Sequence, residues 1–174
     1  MSPRNALVSA AITLTVAASL ISVPSAASAN PGAPASAIPA GATVVSSKPI
    51  HLTRVSAAPN VVVPNTPDRD CSGNVSIYRI GTVIYGSITV WCPYKVDSMR
   101  LSVGLYRSRW FGWEGVGTPV NRTYYNFSYA SEQSTYGCAG TGTHDFLATG
   151  SSYIVYQGAG YSGSDSDEMD NQSC

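Results

Sequence analysis

Residues 71–92 read CSGNVSIYRIGTVIYGSITVWC, a pattern that predicts two strands folded about Gly81-Thr82. Glycine at the first central position of a two-residue loop is the residue a type II′ turn requires, because it takes positive φ without steric cost. With Ile80 and Val83 closing the turn, the indices of every opposed pair sum to 163, and those of Cys71 and Cys92 do the same. Counting outward, the two cysteines form a non-hydrogen-bonded pair, whose Cα atoms lie about 4.5 Å apart, within the span of a disulfide.

The same register sorts the side chains. One face carries Cys71, Gly73, Val75, Ile77 and Arg79 with Ile84, Gly86, Ile88, Val90 and Cys92, and it is largely apolar. The other carries hydroxyls and aromatics, among them Tyr78, Tyr85 and Trp91, with Tyr78 directly opposite Tyr85. Turn chemistry and side-chain alternation therefore select one register.

Before the hairpin, Arg4 precedes an apolar run from Ala6 to Val23, then Pro24 and Ala27-Ser28-Ala29. That order is the one found in a secretory signal, here spanning 1–29 with cleavage before Asn30, and it predicts a secreted, extracellular chain with no membrane span after processing. Residues 30–67 are rich in Pro, Ala and Ser. Dense proline removes ladder donors, so this segment reads as a linker, arm or pro-segment, mostly mobile, although residues 50–53 could add a strand to a sheet edge. Export also accounts for the four cysteines, which have no C-x-x-C spacing. Pairing Cys71 with Cys92 leaves Cys138 with Cys174.

The folded domain is expected over residues 68–174. Met99, Leu101, Val103 and Leu105 alternate with Arg100, Ser102, Gly104 and Tyr106, the period of a half-buried strand. Further strands are expected at 123–129, 134–138, 143–149 and 153–156, separated by Gly-, Ser- and Asn-rich turns. Six or seven short strands with no capped helical period predict an all-β domain. The first expectation is a small antiparallel β-sandwich of immunoglobulin-like architecture, and a small β-barrel is the runner-up.

The residues hold no recognisable catalytic or cofactor apparatus. His144 is the sole histidine in 68–174, and its neighbour Asp145 points to the other face of a strand. An enzyme of unfamiliar type would have to use His144. Asp97, Glu114, Glu132 and Asp145 are scattered, so no glycosidase pair is marked. Asp165, Asp167, Glu168 and Asp170 lie in Gly-Ser-rich sequence that fits no EF-hand loop, and they read as a solvated acidic turn in preference to a calcium site. Of the ten basic residues, Arg4, Lys48 and Arg54 precede residue 68, which leaves seven against ten acidic ones, a net of −3. Nucleic acid is therefore not an expected partner.

Two aromatic groups remain as candidate contacts. Arg107, Arg109, Trp110, Phe111 and Trp113 cluster after a strand. Exposed, they would stack on sugar rings, enter a membrane interface or anchor a protein; packing over the end of the sandwich is the commoner fate of such clusters. Tyr78, Tyr85 and Trp91, joined by Tyr106 if its strand is a neighbour, could form a flat platform. The expected function is a non-enzymatic extracellular binding or interaction module, contacting a cell-wall or environmental polysaccharide or an extracellular protein. A secreted inhibitor of an extracellular hydrolase is the alternative.

Overall fold

The computed structural model describes residues 42–56 and 67–174; the segment 1–29 read as an export signal, the arm up to residue 41 and residues 57–66 lie outside them. The elements are β1 (Thr43–Ile50), β2 (Thr53–Ser56), a single helical turn α1 (Pro67–Asp70), β3 (Ser72–Ile80), β4 (Val83–Arg109), β5 (Gly112–Gly137), β6 (Thr143–Tyr156) and β7 (Ala159–Ser173). Every strand pairing is antiparallel, and all seven strands belong to one sheet in the order β1-β3-β4-β6-β7-β2, with β5 on the other edge of β4.

The β3–β4 hairpin has the expected register, from Ser72 opposite Trp91 to Ile80 opposite Val83. Gly81 sits at φ 57°, as the turn demands. Cys71 and Cys92 are bonded with their Cα atoms 4.2 Å apart, and Cys138 is bonded to Cys174. Val75, Ile77, Ile84, Ile88 and Val90 are fully buried. Each contributes roughly 1.5–3 kcal/mol of transfer free energy.

The long strands give the sheet its barrel-like curvature. The first part of β4 lies between β3 and the end of β5, whereas its second part lies between β6 and the start of β5. The register breaks between Trp91 and Val96, where the strand turns from one layer into the other. On the far side, β1 pairs β3 and β2 pairs β7, so the chain through His51 and Leu52 makes the same crossing. Two facing layers therefore come from a single sheet folded over.

Glycine allows the layers to approach. A Cβ at Gly150 would lie 2.5 Å from Val75 Cγ2, and one at Gly86 would lie 2.8 Å from Leu105 Cδ2. Gly117, at φ 70°, lets β5 bend back on itself; a Cβ there would meet the Thr135 carbonyl oxygen at 2.3 Å. Tyr124 and Arg122 reach across the same opening to the buried Glu132.

Two segments differ from the sequence reading. The proline-rich stretch supplies β1 and β2, and its Ile50 and Leu52 are buried in the core. The acidic tail is a strand, β7, with Tyr161, Asp167 and Met169 facing inward. Its composition hid an alternation that burial exploits. The Asp167 carboxylate is tolerated there because it accepts the Ile77 N–H at 3.1 Å, where a shift in the β1 register disturbs the ladder.

Candidate functional site

The last residues of β4 and the first of β5 form a hairpin whose two-residue loop is Trp110-Phe111. This tip is exposed, contrary to the expectation that it would pack over the end of the domain. Trp110 is 95% accessible, Phe111 61% and Trp113 43%. Trp110 and Phe111 meet edge to face, with centroids 5.3 Å apart. Below them, Arg107 Nε and Arg109 Nε each donate to Glu114 Oε2 at 2.7 Å. Those bonds, Arg107 first, hold the Glu114 carboxyl below its usual range and push the Arg107 guanidinium up. Arg107 also donates to Tyr136 OH at 3.1 Å and lies over its ring. The hairpin stem is thus cross-linked, with two guanidinium groups sharing one carboxylate and a net charge of +1.

The second aromatic group is arranged differently. Tyr78 and Tyr85 stack with centroids 5.0 Å apart and planes within 6°, as their opposition predicts. Tyr78 is buried, with its hydroxyl bonded to Gln133, and burial raises the phenol pKa. Trp91 is half-buried opposite Tyr129 of β5. Tyr106 pairs with Gly115 and Leu147, in the other layer, and so does not extend that group. The residues do not make one open platform. Sequence reasoning missed the exposed rings of Tyr125, Phe127 and Tyr153.

His144 does not assemble a triad. Its Nδ1 lies 3.1 Å from the Ser108 carbonyl oxygen and its Nε2 2.9 Å from that of Thr141. Both ring nitrogens lie against backbone carbonyl oxygens, and among the described residues no hydroxyl or carboxylate side chain hydrogen-bonds the ring. The Ser108 hydroxyl accepts the Asp145 N–H, and the Asp145 carboxylate accepts the Asn171 N–H. The carboxylates of β7 diverge: Asp167 points into the core, Asp165 accepts its neighbour's N–H, and Glu168 and Asp170 are exposed. Among the described residues no three potential ligands converge on a metal position.

The outward face of the layer formed by β4, β6, β7 and β2 holds a shallow groove of about 610 Å³. Arg100, Tyr153, Ser162 and Thr53 form one cross-strand row of it, and Ser102, Ser151 and Ser164 form the next. His51 closes one end. A second depression of about 530 Å³ continues from the shared serines to Tyr106. The sequence signal for this face was the alternation of Arg100, Ser102, Gly104 and Tyr106; what it lacked was the pairing with β6 and β7. No protein-family model, curated protein or solved structure matches the chain. The two disulfides are consistent with an oxidising compartment, and among the described residues no helix is long and apolar enough to cross a membrane.

Proposed function

We propose that the chain is a secreted, non-enzymatic binding module that contacts a polysaccharide through exposed aromatic rings. The observation that carries this reading is the 95% exposure of Trp110 at the end of a hairpin stiffened by Arg107, Arg109 and Glu114. A large ring left in water costs solvation free energy that a bound surface recovers, and a flat indole suits the apolar face of a sugar. Because the stem is held in place, little ordering is needed on binding.

The test is retention on insoluble glycans by the wild type and a Trp110→Ala/Trp113→Ala variant. Retention of the wild type with loss in the variant is expected; equal retention, or none in either, would refute the reading. The same projecting tip favours a second reading, insertion into the active site of an extracellular hydrolase. Inhibition abolished by cleavage between Trp110 and Phe111 would support that alternative.

A further inference from the structure

The groove and the tip lie on one face. Within β4, residues 100, 102, 104, 106 and 108 share a side, since the β4–β6 register is unbroken from Ser98 to Arg107. Trp113 opposes Ser108, so its indole emerges on that same side. From Arg100 to Ser108 the strand advances about 26 Å at roughly 3.3 Å per residue, a length that suits an oligomer better than a single sugar.

The two ends of this track differ in chemistry. At the groove end, Arg100 is exposed and has no ion pair among the described residues; its Nε donates to Asn121 Oδ1 at 3.0 Å. Tyr153, 41% accessible, is its direct cross-strand partner. The hydroxyls of Ser102, Ser151 and Ser164 have no protein partner among the described residues, and no carboxylate lines this end. Acidic groups come in further along, with Asp165 beside the second depression and Glu168 in the row of Tyr106.

We infer that this groove is a binding site for a carboxylate-bearing polysaccharide, with Arg100 as the carboxylate contact, Tyr153 as the stacking ring and the serines as partners for sugar hydroxyls. The inference rests on the polysaccharide reading above and adds to it a second contact and a ligand class. Guanidinium is the side chain best shaped to pair with a carboxylate, and no carboxylate lining the groove competes for it; the Asn121 amide oxygen engages Nε alone. Tyr153 beside it supplies the apolar surface that charge alone lacks.

Native electrophoresis of the folded protein through gels containing polygalacturonate, and separately hydroxyethyl cellulose, tests the assignment. The wild type is expected to be retarded by polygalacturonate, with about tenfold weakening in Arg100→Ala, since a charge-assisted bond exceeds the increment that gives a tenfold change, and a smaller weakening of about two- to tenfold in Tyr153→Ala, which loses a stacking contact. Ser151→Trp, which fills the groove from an exposed position, should also abolish retardation. Lys95→Ala, which removes an exposed charge at the bend of β4, should not. Equal loss in Lys95→Ala and Arg100→Ala would mean unspecific charge attraction and would overturn the site. Retardation by hydroxyethyl cellulose alone, insensitive to Arg100→Ala but lost in the Trp110/Trp113 variant, would overturn the groove and leave the tip reading intact. No retardation in either gel, together with no retention on insoluble glycans, would remove both.

Discussion

Replacing Gly150 with alanine tests the closest approach of the two layers. The added methyl would lie 2.5 Å from Val75 Cγ2 and 3.3 Å from Ile88 Cδ1, against an optimal carbon separation of about 3.5–4.0 Å. Relief requires β6 to move away from β3 by about 1 Å or Val75 to leave its rotamer. Overpacking of this kind costs about 1–3 kcal/mol, and the lower chain entropy of unfolded alanine returns about 0.4–1 kcal/mol. The net destabilisation expected is therefore about 0–2.6 kcal/mol. Val75→Ala alone removes two buried methyl groups and should cost about 2 kcal/mol. In the double variant the new methyl occupies the vacated space, so the pair should be about 1–2 kcal/mol more stable than the sum of the single changes. Urea unfolding of the oxidised protein, followed by far-ultraviolet circular dichroism with the m-value checked for constancy, measures this coupling. Additivity within about 0.5 kcal/mol would show that Val75 and Gly150 do not face each other, and the packing of β6 over β3 would have to be abandoned.

Removing either sulfur bridge by paired serine substitution should cost about 3–4 kcal/mol by the chain-entropy relation, given separations of 21 and 36 residues; a loss under 1 kcal/mol in urea unfolding would contradict it. Trp110→Ala/Trp113→Ala should leave stability within about 0.5 kcal/mol of wild type, because the tip contributes little to the core; a larger loss would mean that the tip packs. Burial raises the phenols of Tyr94, Tyr78 and Tyr124, with the Asp70 and Glu132 carboxylates adding to the shift at Tyr94 and Tyr124. A raised folded pKa means that stability is complete below the ordinary phenol value of 10.0 and declines as pH climbs above it, so absorbance at 295 nm should show these rings ionising together with unfolding. The Glu114 carboxyl, held low by Arg107 and Arg109, should titrate below its ordinary 4.5 by carbon-detected NMR, and its ion pairs should persist through pH 5 and fail only as pH falls through the lowered value.

The β3–β4 hairpin could be read directly because three local signals coincide there: a glycine turn, a period of two, and cysteines at matching distances from the turn. β7 offered none of these. Its inward positions include Gly163 and Asp167, and a carboxylate becomes an acceptable core residue only once the Ile77 N–H is known to lie beside it. Ile50 and Leu52 were obscured in the same way by the prolines around them, since burial depended on which strands they met. The aromatic tip was visible as composition, but a Trp-rich string reads the same whether it covers a core or projects from one. The groove needed distant partners: Arg100, Tyr153 and Ser162 are neighbours only through two ladders, so no window of sequence contains them together.

The crossing of β4, β5 and the β1–β2 segment between layers has a further consequence. Among the described residues, neither layer owns a complete set of hydrogen bonds, because β4, β5 and the β1–β2 segment pair in both. Amide protons on both sides of the bends at Trp91 and His51 should therefore exchange through the same opening event, with matching free energies, as a single foldon.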